Sequence, residues 1–479
     1  MFEVAELGSK VSKQEFAEEE PQLHTKLLEM QRVLRDSGIP VIIIVSGVEG
    51  AGKGEIVNRL NEWLDTRGIK THAFWDESDE ELERPAYWRF WRCLPPRGTI
   101  GIMFGSWYTR PIISHVFGET DETRFDLQLE RIAEFERMLT DDGALIIKFW
   151  FHMSQKEQEK RLRKENKQGK NDWKVSPLLK KFSRRFELFT STSERAIRMT
   201  DHGECPWHIV EAVDPRYRDL TVGRILVHAI EQRISKQIPA VSRTTATTEK
   251  VLPAGKSTIL DQVDLDRTLT DKEYRKLLDR YQRQIYKLTW AAWEKKRSSI
   301  AVFEGWDAAG KGGGIRRLTA AIDARLYKVI SIASPTDEEK AQHYLWRFWR
   351  YLPRAGYVTI YDRSWYGRVL VERVEKFART EEWNRAFQEI NDFEAQLHEH
   401  GIIISKFWIH IGKDEQLRRF KERETIPWKA HKITEEDWRN RDKWNAYKIA
   451  ITDMVSRTST QQAPWSLVPG NDKKYTRIE

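Results

Sequence analysis

The sequence contains very little cysteine, and this scarcity excludes a disulfide framework. Only Cys93 and Cys205 occur among 479 residues, which predicts free thiols in a reducing compartment. Apolar residues make up 40% of the chain, yet no apolar run approaches the roughly 20 residues that a membrane span needs. The polar, acidic start also lacks the apolar core of a secretory signal. We therefore expect a cytoplasmic protein without a membrane partner.

Charge, in contrast, is abundant and slightly unbalanced. The chain carries 81 Lys and Arg against 73 Asp and Glu, a formal net charge of +8. A basic surplus suits an anionic partner but does not identify it, so nucleic acid, nucleotides and inorganic polyanions all remain candidates. Because one hydrophobic core seldom grows beyond about 250–300 residues, a chain of this length should contain at least two domains.

The two halves of the chain repeat each other at a constant offset. Lys53 and Lys311, each in a GxxxxGK loop, are 258 residues apart, and WRFWR, SWY, KFW and PW motifs recur at the same distance. Such rare aromatic patterns at one offset predict a duplicated domain. The Thr-, Ser- and Pro-containing segment 237–257 is predicted to be a linker between a first copy, residues 1–236, and a second copy, residues 258–479.

Apolar runs in each copy predict parallel strands separated by helices. The predicted strands are 41–45, 99–104, 144–151 and 208–210 in the first copy, and 300–303, 358–361, 402–411 and 466–468 in the second. The clearest helix is predicted from Asp271 to Lys295, capped by Thr270 or Asp271. This alternation favours an α/β fold of the P-loop type, with a parallel sheet flanked by helices in each copy.

The GxxxxGK loop follows the first strand of each copy and precedes a helix, the context of a phosphate-binding loop. Glycines let backbone amides turn toward a phosphate, and the helix N-terminus adds positive potential. Lys311 would place its charge on the transferring oxygens, and Asp307 is a candidate Mg²⁺ ligand, because the Ser or Thr that usually helps hold Mg²⁺ is a glycine here. The phosphate-binding glycines of the second copy are predicted to be Gly305, Gly310, Gly312 and Gly313.

A second candidate metal ligand, Asp362, lies at the end of a predicted strand, where P-loop folds present such an acid. The adjacent Arg363 could clamp phosphate oxygens with its forked donors. Arg368 and Arg373 could line the same anionic channel, although each of the three arginines could instead form a surface ion pair. In the first copy the matching positions are Phe104 and Gly105, so this copy is predicted to be catalytically weak or inactive.

A basic helical segment follows the KFW strand of the second copy. Four of its side chains could close over phosphates and exclude water as a helical lid, and the alternative is a solvated charged face. The predicted lid residues are Arg418, Arg419, Lys421 and Arg423.

The motifs GWDAAGKGG, WRFWRYLP, YDRSWYGR, KFWIHIGKDEQLRRFK and APWSLVPGNDKKY together resemble the family-2 polyphosphate kinases. The resemblance covers nearly the whole chain, once per copy, and the fused arrangement is similar to the polyphosphate:AMP phosphotransferase class. It implies a P-loop fold, Mg²⁺ dependence, and transfer of a terminal phosphoryl group from inorganic polyphosphate to AMP, giving ADP. The catalytic residues of the family fall on Asp307, Lys311, Asp362 and Arg363, with the metal on the two aspartates.

Other functions stay open on the sequence alone. Polyphosphate-dependent conversion of ADP to ATP, or its reverse, would use the same residues, and so would an ATP-dependent nucleotide kinase. A basic nucleic-acid-binding protein with a vestigial loop is the alternative from another class, and the complete set of four catalytic residues argues against it. We expect no nucleic-acid partner, and we expect a homodimer.

Overall fold

A computed structural model of the chain describes residues 1–167, 184–235, 258–427 and 433–479. These residues form two compact units. Unit 1 comprises Met1–Glu77, Arg89–Arg243 and Asp337–His343, and unit 2 comprises Ser78–Trp88, Thr244–Thr336 and Tyr344–Glu479. The predicted linker, residues 237–257, lies outside the described residues, and the domain boundaries stay a prediction. In the part of the chain that the structure describes, no helix has the length and apolar character needed to cross a membrane.

Each unit contains one five-stranded, fully parallel sheet. The strands of unit 1 are β1 (Val41–Gly47), β2 (Ile69–Ala73), β3 (Ile100–Phe104), β4 (Leu145–His152) and β5 (Trp207–Glu211). Those of unit 2 are β6 (Ser299–Gly305), β7 (Tyr327–Ser331), β8 (Val358–Asp362), β9 (Ile403–His410) and β10 (Trp465–Pro469). The strand order is β2-β3-β1-β4-β5 in the first sheet and β7-β8-β6-β9-β10 in the second. The predicted α/β class with parallel sheets is therefore confirmed.

The central strands β1 and β6 form because their sequences are almost continuously apolar. Val41 to Val45 are all buried in β1, as are Ile300 to Phe303 in β6. A strand covered by helices on both faces takes such a run rather than an alternating pattern. The end of β6 thus carries the phosphate-type loop at the carboxyl edge of the sheet, where β8 also ends.

The edge strands β2 and β7 were not predicted from the sequence. Their one buried side chain each is Ile69 and Ile330, and the remaining residues are exposed or half-exposed. An edge strand covered on little of its surface needs no apolar run, so neither strand leaves the signal on which the other eight predictions depended.

Nineteen α-helices are described in these residues, and they surround the sheets. The first nine are α1 (Lys13–Ser37), α2 (Lys53–Trp63), α3 (Asp79–Leu82), α4 (Trp88–Trp91), α5 (Thr109–Val116), α6 (Glu122–Asp141), α7 (Gln155–Lys167), α8 (Phe186–Thr200) and α9 (Pro215–Ser235). The others are α10 (Asp271–Glu294), α11 (Lys311–Thr319), α12 (Asp337–Lys340), α13 (Trp346–Trp349), α14 (Val371–Val374), α15 (Thr380–Glu399), α16 (Lys413–Thr425), α17 (Glu435–Asp442), α18 (Trp444–Thr458) and α19 (Lys473–Ile478). The predicted cap of α10 is confirmed, because Thr270 forms a capping box with Glu273.

The SWY and KFW motifs build a buried polar network in unit 2. The Nζ of Lys406 donates to Glu394 at 2.7 Å and to the hydroxyl of Tyr366 at 2.8 Å. Tyr366 and Trp365 donate in turn to the same Glu394 carboxylate, at 2.6 and 3.1 Å. Burial raises the pKa of Glu394, and the charge of Lys406 opposes this rise.

Unit 1 repeats this network with its own residues. Lys148 donates to Glu136 at 2.7 Å, and Tyr108 and Trp107 donate to Glu136 at 2.7 and 3.0 Å. Because the network is present in both copies while the acidic site differs, these motifs serve to join strands and helices of each sheet. They do not distinguish a catalytic copy.

Candidate active site

The loop between β6 and α11 is shaped by its neighbours before any ligand is considered. A Cβ on Gly305, where φ is +153°, would lie 2.6 Å from the carbonyl oxygen of Ile409, so the close approach of β9 requires glycine. Gly310 adopts φ +115° as the N-cap of α11, and Ala308 adopts the left-handed region at φ +61°. A glycine-rich turn of this kind directs backbone amides toward the start of the helix.

Lys311 opens α11 and folds back over the loop. Its Nζ donates to the carbonyl oxygen of Gly305 at 2.7 Å and to that of Trp306 at 3.4 Å. Among the described residues it has no acidic partner within ion-pair distance. Its positive charge is thus fixed at the loop without a directly paired acid, which suits a phosphate-binding lysine.

Asp307 is the acid that the loop brings to the other predicted site residues. Its carboxylate accepts from the Nη2 of Arg363 at 3.2 Å and from the Nδ2 of Asn440 at 3.0 Å, while its backbone oxygen accepts from Gln416 at 3.1 Å. The structure therefore brings together Asp307 and Arg363 across 56 positions of sequence, and α16 and α17 contribute two further side chains to the same acid.

Asp362 and Arg363 stand at the end of β8, beside β6. Asp362 is paired in register with Phe303, which precedes the loop by only a few residues. Arg363 adopts φ +64°, a left-handed conformation that costs energy in a residue other than glycine, and its side chain remains 46% exposed. This strained backbone turns the guanidinium toward Asp307 and leaves part of it open to a ligand.

Glu304, which the sequence prediction missed, lies buried directly before the loop. Its carboxylate accepts from the hydroxyl of Ser364 at 2.8 Å, linking the ends of β6 and β8. Burial raises the pKa of Glu304, while Lys311 acts in the opposite direction. The matching residue of the first copy is Ser46, so a comparison of the two copies at this position was the signal that could have found it.

A pocket with aromatic walls opens beside the loop. It is lined by Asp307 and Arg363 together with Trp306, Trp408 and Tyr447. The ring of Trp306 stacks on that of Trp444 with centroids 3.7 Å apart and planes 5° apart. A cavity lined by both charged and aromatic side chains suits a ligand that carries both a phosphate and a planar ring.

Two further predicted phosphate-binding residues are engaged by acids of their own. Arg368 pairs with Glu372 at 3.0 Å, and Arg373 pairs with Asp453 at 2.7 Å. Both are largely buried, and Arg373 also lies over the ring of Trp383 at 4.0 Å. The structure thus places them in internal ion pairs, and their binding of phosphate stays a prediction.

The predicted lid residues divide into two groups on α16. Arg418 and Lys421 are exposed, and Arg423 is partly exposed; Arg418 pairs with Glu415 at 2.7 Å. Lid closure by these residues stays a prediction.

Arg419, the fourth predicted lid residue, is buried and contacts the phosphate-type loop. It is 3% exposed, and its guanidinium donates to carbonyl oxygens of Ala308 and Ala309 in the loop and of Gly470 and Asn471 after β10, at 2.6–3.0 Å. With its donors so occupied, Arg419 braces the loop against the turn that precedes α19.

The donor chemistry of the site fits a divalent cation. Among the described residues no group of three or more His, Cys, Asp or Glu side chains could hold a metal by itself. Mg²⁺, however, usually takes one or two carboxylates and completes its shell with water and substrate phosphates. Asp307 in the loop after β6 and Asp362 at the end of the adjacent β8 are of this residue type, and their binding of a metal ion stays a prediction.

In the corresponding loop of the first copy, the lysine pairs with a glutamate of the same loop. Lys53 donates to Glu49 at 2.7 Å and to the carbonyl oxygen of Gly47 at 2.9 Å. The positions of the second acid and arginine hold Phe104 and Gly105. The lysine of this copy is therefore paired with an acid of its own loop, and Phe104 and Gly105 supply no carboxylate at the matching strand end.

Comparison with known proteins places both copies in one family. The family model "Polyphosphate kinase 2" matches residues 10–238 and 268–479. The chain is 48% identical over its whole length to a polyphosphate:AMP phosphotransferase of Pseudomonas aeruginosa, covering 97% of that protein, and 45% identical to one of Pseudomonas syringae pv. tomato, covering 96%. A crystal structure of a polyphosphate kinase 2 from Pseudomonas aeruginosa PA01 superposes with a TM-score of 0.88 at 46% identity, over 100% of this chain and 96% of that one.

Proposed function

Because the chain belongs to the polyphosphate kinase 2 family, we propose that it transfers the terminal phosphoryl group of inorganic polyphosphate to AMP. A phosphate oxygen of AMP forms a bond to the terminal phosphorus, the bridging P–O bond breaks, and the products are ADP and a polyphosphate shorter by one unit. An ionised AMP phosphate needs no general base. The observation that carries this proposal is the meeting of Lys311, Asp307 and Arg363 beside an aromatic pocket, in a chain with full-length relatives of that name.

The basic residues at the loop stabilise negative charge during the transfer. Lys311 and Arg363 neutralise charge on the equatorial oxygens of the transferring group, where preorganised donors give the largest part of catalysis in phosphoryl transfer. Arg363 is 46% exposed and lines the pocket, so its guanidinium is available to a phosphate bound there as well as to Asp307. The aromatic side chains that line the pocket, Trp306, Trp408 and Tyr447, are the candidates to contact the adenine ring.

We assign Mg²⁺ to Asp307 and Asp362. The two carboxylates would hold the ion, and a divalent charge at this place would lower the charge repulsion between donor and acceptor phosphates. The first copy, with Phe104 at the second position, is proposed to lack turnover and to act in structure or in binding polyanion.

The acceptor is tested directly by product analysis. The purified chain is incubated with Mg²⁺, long-chain polyphosphate and either AMP or ADP, and nucleotides are separated by chromatography. ADP formed from AMP faster than ATP from ADP supports the proposal. ATP formed chiefly from ADP would overturn the acceptor, and ADP formed from AMP only when ATP replaces polyphosphate would overturn the donor.

Two further expectations concern the cellular location and the oligomeric state of the protein. A cytoplasmic location follows from where nucleotide pools are found, and cell fractionation tests it. The homodimer is tested by light scattering on the full chain, where a mass near 57 kDa would contradict it.

A further inference from the structure

Arg477 is a basic residue of unit 2 that the proposed reaction does not yet use. It lies in α19, is partly exposed, and makes no ion pair or hydrogen bond with any residue that the structure describes. Its neighbours on the same helix do have acids: Lys473 lies 3.8 Å from Glu422, and Lys474 lies 2.9 Å from Asp271. A partly exposed guanidinium without a protein partner is available to an anion from outside the chain.

The surface that faces Arg477 is the first turn of α11, directly after Lys311. A Cβ built on Gly313 would lie 3.9 Å from the Nε of Arg477, and nothing lies within 4 Å of one built on Gly312. The backbone of this turn is therefore uncovered next to the free guanidinium. Both groups would attract the same negatively charged ligand.

The fold fixes Arg477 in this place. Asp472 caps α19 through the backbone amide of Tyr475 at 2.6 Å, and the hydroxyl of Thr476 donates to Pro469 at 2.9 Å. The turn before the helix is held to the loop by Arg419, whose guanidinium joins Ala309 to Gly470. The buried brace therefore sets the distance between α19 and the loop.

The first copy shows that this position of the fold holds a negative group. The residue that matches Gly313 is Glu55, and the one that matches Arg477 is Asp219. The Glu55 carboxylate accepts from Arg218 at 2.7 Å and from Arg161 at 2.6 Å. The first copy thus places its own carboxylate between two arginines where the second copy has a bare turn and a free arginine.

We propose that Arg477 is a phosphate-binding residue for the polyphosphate donor, contacting a phosphate of the chain beyond the one that is transferred. This inference rests on the proposed function. Every phosphate unit of polyphosphate carries negative charge, so its binding needs cationic groups beyond those at the reacting phosphorus. The forked guanidinium of an arginine suits a phosphate. The donor is favoured over AMP because the aromatic pocket is lined by neither Arg477 nor Gly313.

Steady-state kinetics on the full chain tests the assignment. Arg477→Gln should raise the KM for polyphosphate by about tenfold to a hundredfold, the value of a hydrogen bond to a charged group, and leave kcat and the KM for AMP nearly unchanged. Arg477→Lys should recover part of the loss. Lys474→Gln on the same helix is the matched control and should behave as the wild type.

An unchanged KM for polyphosphate, or a rise in the KM for AMP instead, would overturn the assignment. A wild-type chain that forms no ADP would refute the proposed function and not yet the role of Arg477. In that case equilibrium dialysis with tripolyphosphate decides: weaker binding by Arg477→Gln than by the wild type supports the assignment, and equal binding overturns it.

Discussion

The glycine-rich loops of the two copies place their lysines alike, but the two lysines contact different groups. In the first copy Lys53 has the carboxylate of Glu49 at 2.7 Å, whereas Lys311 in the second copy contacts carbonyl oxygens. Asp307, which matches Glu49, turns instead toward Arg363. Where the arginine is absent, the loop acid pairs with the lysine instead. The same loop shape thus presents a paired lysine in the first copy and a lysine without an acidic partner in the second.

The largest difference between the copies should appear at the strand ends. Asp362→Asn keeps the shape but removes a proposed metal ligand, so ADP formation from AMP should fall by about a thousandfold, the order seen when one preorganised electrostatic group is lost. Phe104→Leu at the matching position should leave the rate essentially unchanged. Circular dichroism on both variants checks that the fold is retained.

Near-normal turnover in Asp362→Asn would contradict the metal assignment. A large loss in Phe104→Leu, with folding intact, would instead show that the first copy takes part in turnover. Either result would break the contrast between an active and an inactive copy.

A smaller effect, on the KM for polyphosphate, is expected when the second copy receives the glutamate that the first copy has after its loop. Gly313→Glu places a carboxylate where Glu55 stands in the first copy, and the nearest atom to the new Cβ is 3.9 Å away. Because like charges placed together cost several kcal/mol, the KM for polyphosphate should rise by about a hundredfold. Glu55→Gln should not alter the rate, and an unaffected KM in Gly313→Glu would contradict the placement of donor phosphates at this turn.

The smallest effect is expected from the buried network of lysine, tyrosine and glutamate that both copies contain. Tyr366→Phe and Tyr108→Phe each remove a buried hydroxyl that joins a lysine to a glutamate, at a cost of about 1–3 kcal/mol in the free energy of unfolding. Urea denaturation should show similar losses for both. Stability loss in one variant only would mean that the network supports one sheet more than the other.

Strands with a buried run and the residues beside them were predictable from the sequence. The eight predicted strands follow from apolar runs, and in β6 and β8 these runs are followed by the glycine-rich loop and by Asp362. The meeting of Asp307 with Arg363 also follows, because parallel strands bring their carboxyl ends to one edge of the sheet.

The rest depended on tertiary contacts that leave no local pattern. β2 and β7 have too little burial to show an apolar run, and the charge of Arg419 looks like that of its exposed neighbour Arg418, although only Arg419 is buried against carbonyl oxygens. Glu304 and Arg477 lie outside the motifs that were compared between the copies, where the matching residues are Ser46 and Asp219. A residue-by-residue pairing of the halves would have included both among the positions that differ in charge.

The left-handed backbone at the end of β8 has a consequence for the history of the chain. Arg363 holds φ +64° and its counterpart Gly105 holds φ +73°, but a Cβ on Gly105 would lie 2.6 Å from the carbonyl oxygen of Phe74. An arginine can therefore return there only after that neighbouring segment has moved. A change from arginine to glycine at this position is thus easier than its reversal, so the substitution acts as a ratchet.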